Sequence, residues 1–272
     1  MADRIQLRKD QKTIAITRPV GKGKDTFQFV KSLGWKPFIF HTVELKPLDS
    51  WAIRDQLQSC LEQGPIDWIV FMSSSGVRLV FESFPSNPHS RGPLRKTSFL
   101  AVGPRTKDAL GWHGVTQASV PKKYSSVGVG DFFSHSDPGL RIVLVRSSSA
   151  DDSLSKSLAA RGAKVTTVNV YESLLPKDPG SAFRFLEGLR LDRFSAVLFT
   201  SAISASNFFK IAQTETEDVD VAILMRRVLV GAVGPVTAAE LTRRGIVPLV
   251  PEEYLIENAI RTLIACLAGD EG

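Results

Sequence analysis

Groups that usually advertise catalysis are scarce in this sequence. Its two cysteines, Cys60 and Cys266, stand far apart in segments that read as helices, and they are expected as buried or half-buried thiols of a reducing compartment. The four histidines, His41, His89, His113 and His135, have no metal-type spacing, and neither His-Glu-x-x-His nor Cys-x-x-Cys occurs, so no metal site is expected. No run approaches the ~18 apolar residues of a membrane span. Residues 1–12 are polar and charged, without the apolar stretch of a signal peptide, which points to a cytoplasmic protein away from membranes. Charge of one sign does not dominate either. Lys plus Arg number 34 and Asp plus Glu 28, a net +6 that suits a small polyanionic ligand and is too diffuse for nucleic acid.

Phosphate and nucleophile motifs are missing as well. Gly21-Lys22-Gly23-Lys24 does not fit a P-loop, and neither it nor Gly128-Val129-Gly130 completes Gly-x-Gly-x-x-Gly. The first of these reads as a solvated, flexible loop. Ser73-Ser74-Ser75-Gly76 is not a Gly-x-Ser-x-Gly elbow, so a hydrolase triad has no anchor. The acidic run from Thr214 to Asp220 reads as a solvated loop. No cofactor is implied.

What is present is alternation. The chain has 272 residues, about two domains at roughly 150 residues each. Its 43% hydrophobic and 23% charged residues are ordinary globular values, and a fold of this size needs no disulfide or metal. Short β-branched runs read as strands at 13–17, 36–43, 66–71, 99–102, 118–120, 142–145, 165–171, 196–199, 228–233 and 247–250. Amphipathic stretches between them read as helices, with Gly34 and Gly162 as stops and Pro179 opening another helix. Strand–helix alternation with short turns means parallel sheets covered on both faces, so the class is α/β.

An internal repeat of about 130 residues runs through the chain. Ile14-Ala15-Ile16-Thr17-Arg18 matches Ile142-Val143-Leu144-Val145-Arg146, and Phe71-Met72-Ser73 matches Phe199-Thr200-Ser201. Ala101-Val102-Gly103-Pro104-Arg105-Thr106 matches Ala232-Val233-Gly234-Pro235-Val236-Thr237, and Val120-Pro121 with Tyr124 matches Val250-Pro251 with Tyr254. Taken alone, the repeat suggests tandem domains divided at Asp137-Pro138-Gly139. Ligands of parallel sheets bind beyond the carboxyl ends of strands, where helix N-termini offer N–H groups. Ser73, Thr106, Ser201 and Thr237 lie at such turns, either as helix caps or as ligand contacts. Arg18 and Arg146 end equivalent strands, either to meet a carboxylate or as surface residues. Tyr171 follows a strand and is as well placed to pack between domains as to act as an acid.

In combination these segments resemble the uroporphyrinogen-III synthase family over nearly the whole chain. The resemblance is carried by Ile14-Ala15-Ile16-Thr17-Arg18-Pro19, Val102-Gly103-Pro104-Arg105-Thr106, Pro121 with Tyr124-Ser125-Ser126, Arg161-Gly162-Ala163 leading to Val170-Tyr171, Phe199-Thr200-Ser201-Ala202 and Val233-Gly234-Pro235-Val236-Thr237-Ala238. One departure is Phe71-Met72-Ser73, where the family pattern has Phe-Thr-Ser. The resemblance implies two similar parallel-sheet, flavodoxin-like domains joined by a two-segment extended linker. Carried over, one domain is 1–39 plus 175–272, the other 45–168, and the linkers 40–44 and 169–174.

The implied substrate is hydroxymethylbilane, a linear tetrapyrrole with eight carboxylates, cyclised with loss of water to uroporphyrinogen III. Groups from both domains would bind it across a cleft that closes by a hinge. The implied catalytic residue is Tyr171, as general acid. The substrate-contact candidates are Arg18, Ser73, Ser74, Thr106, Ser125, Arg146, Thr200, Ser201 and Thr237. A monomer is expected, with transient contact to the enzyme that makes the unstable bilane. The main competing reading is a cytosolic ligand-binding sensor on the same two-domain fold, although no residues remain for a DNA-binding segment. A flavodoxin-like FMN protein would need a better phosphate loop than Gly21-Lys22-Gly23-Lys24.

Overall fold

The computed structural model describes residues 12–84, 94, 96–215 and 221–269. His89 and the 216–220 part of the acidic run lie outside the described residues; Thr214 and Glu215, expected in a loop, end a helix instead. Nine strands are described: β1 Thr13–Thr17, β2 Lys36–Phe40, β3 Glu44–Pro47, β4 Trp68–Phe71, β5 Ser98–Ala101, β6 Arg141–Ser147, β7 Lys164–Leu174, β8 Ala196–Phe199 and β9 Leu229–Ala232. The described helices are α1 Lys24–Ser32, α2 Ser50–Glu62, α3 Ser74–Glu82, α4 Pro104–Trp112, α5 Ser126–Phe132, α6 Ser153–Ala160, α7 Gly180–Arg190, α8 Ala202–Glu215, α9 Val221–Met225, α10 Pro235–Thr242 and α11 Ile256–Gly269.

The strands form two sheets, ordered β2-β1-β8-β9 and β3-β7-β6-β4-β5. Pairings β1–β2, β1–β8 and β8–β9 are parallel, as are β4–β5, β4–β6 and β6–β7. The chain divides into two compact units, Met1–Leu45 with Leu174–Gly272, and Lys46–Ser173. Halves of the two repeats are therefore exchanged. β1 and β2 of the first repeat pair with β8 and β9 of the second, whereas β6 and β7 of the second pair with β4 and β5 of the first. In repeat terms each sheet contains the order 2-1-3-4, the beginning of the flavodoxin-like arrangement, and the second adds β3 outside β7. The expected fifth strands shrink to single parallel bridges, Leu100↔Ser119 and Gly231↔Leu249, each followed within two residues by a proline that cannot donate to a ladder. The expected strand 36–43 stops at Phe40, and β3 follows at the edge beside β7.

Period-two alternation sorts each strand between two cores. In the first unit Ile14, Ile16, Ala196 and Leu198 face Val30, Ile260 and Leu263. Ala15, Val197 and Phe199 face the opposite way, into an aromatic cluster where Phe40 stacks on Phe185 at 4.1 Å. In the second unit Val70, Leu100, Ile142 and Leu144 pack on Val129, Phe133, Leu154 and Leu158. Gly34 and Gly162 stop α1 and α6 at φ 77 and 90, and the N–H of the next residue reaches back to Val30 and Leu158, so the helices end where the next strand must begin.

Candidate functional site

In both units turns leaving the strands' carboxyl ends start helices, and six of these starts fall into two kinds. Three are closed by serine. Ser73 Oγ accepts from the Gly76 N–H at 3.0 Å, Ser125 Oγ from the Gly128 N–H at 3.2 Å, and Ser201 Oγ from the Ser204 N–H at 3.2 Å. At Gly128 a side chain is impossible, because a Cβ would lie 1.9 Å from the Lys123 carbonyl oxygen. Three other starts carry glycine and have no side-chain cap: Gly23 before α1, Gly103 before α4 and Gly234 before α10. Each is followed three residues later by a buried threonine, Thr26, Thr106 and Thr237. No described hydrogen bond engages the Thr106 or Thr237 hydroxyl. The Thr26 hydroxyl is buried without a partner among the described residues. Gly103 and Gly234 also let the rings of Tyr124 and Tyr254 lie against the turn, their Cβ positions being 3.3 and 3.4 Å from those side chains.

Tyr171, on β7, is 9% exposed, and its phenol donates to Ser73 Oγ at 3.1 Å. Burial pushes the phenol's pKa up from its ordinary value, and the Ser73 bond opposes that only in part. Ser73 thus accepts from both Tyr171 and the first turn of α3, which leaves its own proton to donate elsewhere. Ser74, the first residue of α3, is exposed. Met72, where the family pattern has threonine, pairs through its backbone N–H with the Val145 carbonyl.

Arg146 is engaged elsewhere. Its side chain is 7% exposed, and it donates to the Asp151 carbonyl at 2.6 Å, the Ala150 carbonyl at 2.9 Å and Asp152 Oδ1 at 2.9 Å. These bonds draw the turn before α6 around one guanidinium, so the expected carboxylate contact is a loop anchor. Arg18, its counterpart in the first unit, is half-buried, and its backbone carbonyl lies 2.9 Å from His41 Nδ1.

Thr200 likewise turns inward. Its hydroxyl donates to the Thr17 carbonyl at 2.7 Å and its N–H to Thr17 Oγ1 at 2.9 Å, so it fastens β8 to β1 rather than facing outward. Around it lies a network that the sequence reading missed. Thr17 Oγ1 is 3.1 Å from Ser204 Oγ, Thr42 donates to the Ser204 carbonyl at 2.9 Å, and Asn207 donates to the Thr42 carbonyl at 2.8 Å. The available signal was Ser-x-x-Ser after a strand and a threonine ending an otherwise apolar one. Thr26 was missed too, although Gly-x-x-Thr recurs there as it does before Thr106 and Thr237.

The structure therefore brings Tyr171 and Ser73 together, and Thr200 and Ser201 around Thr17 and Ser204. No group of His, Cys, Asp and Glu among the described residues is arranged to hold a metal, and no described helix is long and apolar enough to cross a membrane.

Residues 26–261 match the family model described as "Uroporphyrinogen-III synthase HemD". A protein of Methanothermobacter thermautotrophicus, provisionally named uroporphyrinogen-III synthase, is 30% identical over 94% of this chain and 99% of its own length. A uroporphyrinogen-III synthase of Chlorobaculum parvum is 26% identical over 89% of this chain and 94% of its own. A crystal structure of a mutant uroporphyrinogen III synthase from the extremely thermophilic bacterium Thermus thermophilus has the same fold, with a TM-score of 0.64 at 22% identity, covering 95% of this chain and 99% of that one.

Proposed function

The chain belongs to the uroporphyrinogen-III synthase family, whose members are lyases of tetrapyrrole biosynthesis, and on that premise we propose that it cyclises hydroxymethylbilane to uroporphyrinogen III with inversion of ring D. The observation that carries the reading is the buried Tyr171 phenol donating to Ser73 at the head of α3. The substrate supplies most of the reactivity. Its hydroxyl leaves as water with a proton from Tyr171, giving an electrophilic protonated azafulvene that keeps its pyrrole N–H. The substituted carbon of the last pyrrole attacks to form a spiro intermediate, which fragments and recloses with ring D inverted. The final deprotonation returns the proton to the phenolate, so the acid is regenerated.

A phenol is protonated at neutral pH and burial shifts Tyr171 further in that direction, so its proton is available at the first step. When that proton turns to the leaving hydroxyl, the Ser73 hydroxyl turns its own to the phenol oxygen and supports the developing charge. The protein's other task is to hold one folded form of a flexible chain. The Thr106 and Thr237 hydroxyls, with the backbone N–H groups of the uncapped starts of α4 and α10, are suited to substrate carboxylates, as are Arg18, Ser74, Ser125 and Ser201 at neighbouring turns. Arg146 and Thr200 hold the frame behind these turns. The reading carries with it a cytoplasmic enzyme meeting a soluble substrate.

The test is a coupled assay in which hydroxymethylbilane is generated in situ, the protein added, the products oxidised and the uroporphyrin isomers separated. Type III as the main isomer is expected. Type I alone, the isomer that forms spontaneously, would overturn the proposal and favour a ligand sensor.

A further inference from the structure

The turn from β1 to α1 sits where the first unit's sheet changes direction. From β1 the chain goes to β2 on one side, and from β8 it goes to β9 on the other. α1 covers one face of this sheet through Val30, and α8 covers the opposite face through Ala205 and Phe208. In open parallel sheets such a reversal leaves a crevice beyond the carboxyl ends of the two central strands, where ligands bind.

The turn itself is open. Gly21 and Gly23 take φ 72 and 121, which favour glycine, and a Cβ on Gly23 would lie 3.0 Å from Ile39 and 3.3 Å from Arg18 Cγ. The first backbone bond of α1 runs from the Phe27 N–H to the Gly23 carbonyl at 2.8 Å. The N–H groups of Gly23, Lys24, Asp25 and Thr26 therefore have no partner among the described residues. Thr26 is 1% exposed, and its hydroxyl has no partner there either. Helical Cα–Cβ bonds tilt toward the N-terminus, so this hydroxyl is aimed back at the Gly23 turn. A buried hydroxyl without a partner costs stability until something supplies one. Lys22 and Lys24 are exposed beside it, as is Asp25, which makes no described bond to the turn. The second unit closes the equivalent turn with its own carboxylate. There Asp151 follows Arg146 as Gly23 follows Arg18, and Arg146 binds the Asp151 carbonyl and Asp152 Oδ1.

We propose that the start of α1 binds one carboxylate of the cyclisation substrate, an inference that rests on the cyclisation reading. The open N–H groups and the Thr26 hydroxyl donate to the carboxylate, and the helix dipole with Lys22 and Lys24 attracts it. Neighbouring strands stand about 4.8 Å apart, so the turns after β1 and β8 are within reach of one polycarboxylate. A phosphate group shares this chemistry and is the other source to be separated.

Steady-state kinetics of type III formation with freshly prepared hydroxymethylbilane tests the site. Thr26→Val keeps the side chain's shape and removes only the hydroxyl. It should raise KM about tenfold with kcat within about twofold, the effect of one hydrogen bond to a charged group. Its melting temperature should be unchanged or higher, because no protein partner is lost. Lys22→Glu combined with Lys24→Glu should raise KM about tenfold or more at low ionic strength, and the effect should shrink as salt is added. A KM within about twofold of the parent in either variant, or a lower melting temperature for Thr26→Val, would overturn the proposal. Calorimetric titration with inorganic phosphate separates the two sources. Phosphate binding that the charge reversal abolishes while KM stays unchanged would mean a phosphate site and end the assignment to the substrate. A parent protein that yields type I alone would instead remove the cyclisation reading itself, so the two failures are told apart.

Discussion

Two equivalent corners of the molecule solve the same packing problem with opposite chemistry. In the first unit Ser201, Ser204, Thr17 and Thr42 surround the start of α8, and their polar groups bond to one another. The repeat places Ser73, Gly76, Val145 and Val170 at the same positions around α3. A Cβ on Gly76 would lie 3.3 Å from Ser73 Oγ, 3.4 Å from Val145 and 3.6 Å from Val170, so these four groups do converge. Only the capping serine survives in both corners. Where hydroxyls surround it, they satisfy each other and the corner is closed. Where methyl groups and a glycine surround it, the serine is left for Tyr171. Hydroxyl density at a strand end therefore does not by itself leave hydroxyls open, and the sparser corner is the one whose serine meets the Tyr171 phenol.

Breaking the productive corner should have the largest effect. Tyr171→Phe should slow type III formation by about 10²–10⁴-fold, the usual contribution of a general acid, with the fold retained; a rate within twofold of the parent would remove the acid role. Next, Arg146→Ala should lower the unfolding free energy by about 1.5–3 kcal/mol in denaturant titration, as charged hydrogen bonds to the α6 turn are lost, without changing apparent substrate affinity. A substrate-affinity loss at unchanged stability would restore Arg146 as a ligand contact.

The corners can also be exchanged. Thr17→Val should cost about 1–3 kcal/mol by orphaning the Thr200 N–H and removing the Thr17 contact of Ser204, and Val145→Thr about as much by burying a hydroxyl against Gly76. Adding Gly76→Ser to Val145→Thr should recover part of the second loss, whereas strict additivity in the double-mutant cycle would contradict the equivalence.

The smallest effect concerns alkaline pH. The folded state favours the neutral Tyr171 phenol, so its pKa lies above the ordinary value near 10. That contribution is fully present below pH ~10 and is lost as pH rises through the folded value. Melting temperatures should therefore fall less steeply above pH ~10 in Tyr171→Phe than in the parent. Parallel curves would mean that the phenol is not held neutral.

Much of this architecture was legible in the residues. Period-two apolar runs gave the central strands, glycines at φ 77 and 90 stopped α1 and α6, and the Gly-Pro-x-Thr repeat located two of the three uncapped helix starts. The exchange of halves was not legible from the repeat, because two copies that resemble each other pair equally well within or across a repeat: the repeat alone suggests a tandem division at 137–139, and the discontinuous domain came from the family resemblance. The charged four-residue β3 lacks apolar alternation and stayed hidden. Site geometry was less legible than fold. Thr200 and Arg146 sit at the right turns, but only coordinates show that their donors point back into the scaffold. Tyr171 was placed by resemblance to a family, whereas its Ser73 partner, 98 positions away, needed the three-dimensional structure.

The exchange of halves also dictates an order of assembly. During synthesis β1 and β2 emerge first, yet the strand that completes their sheet, β8, begins at Ala196. The second unit is one continuous stretch whose last strand, β7, ends before β8 begins. The closure of β1 on β8, about 180 residues apart, is therefore a long-range contact that can form only after the second unit's strands have all been made.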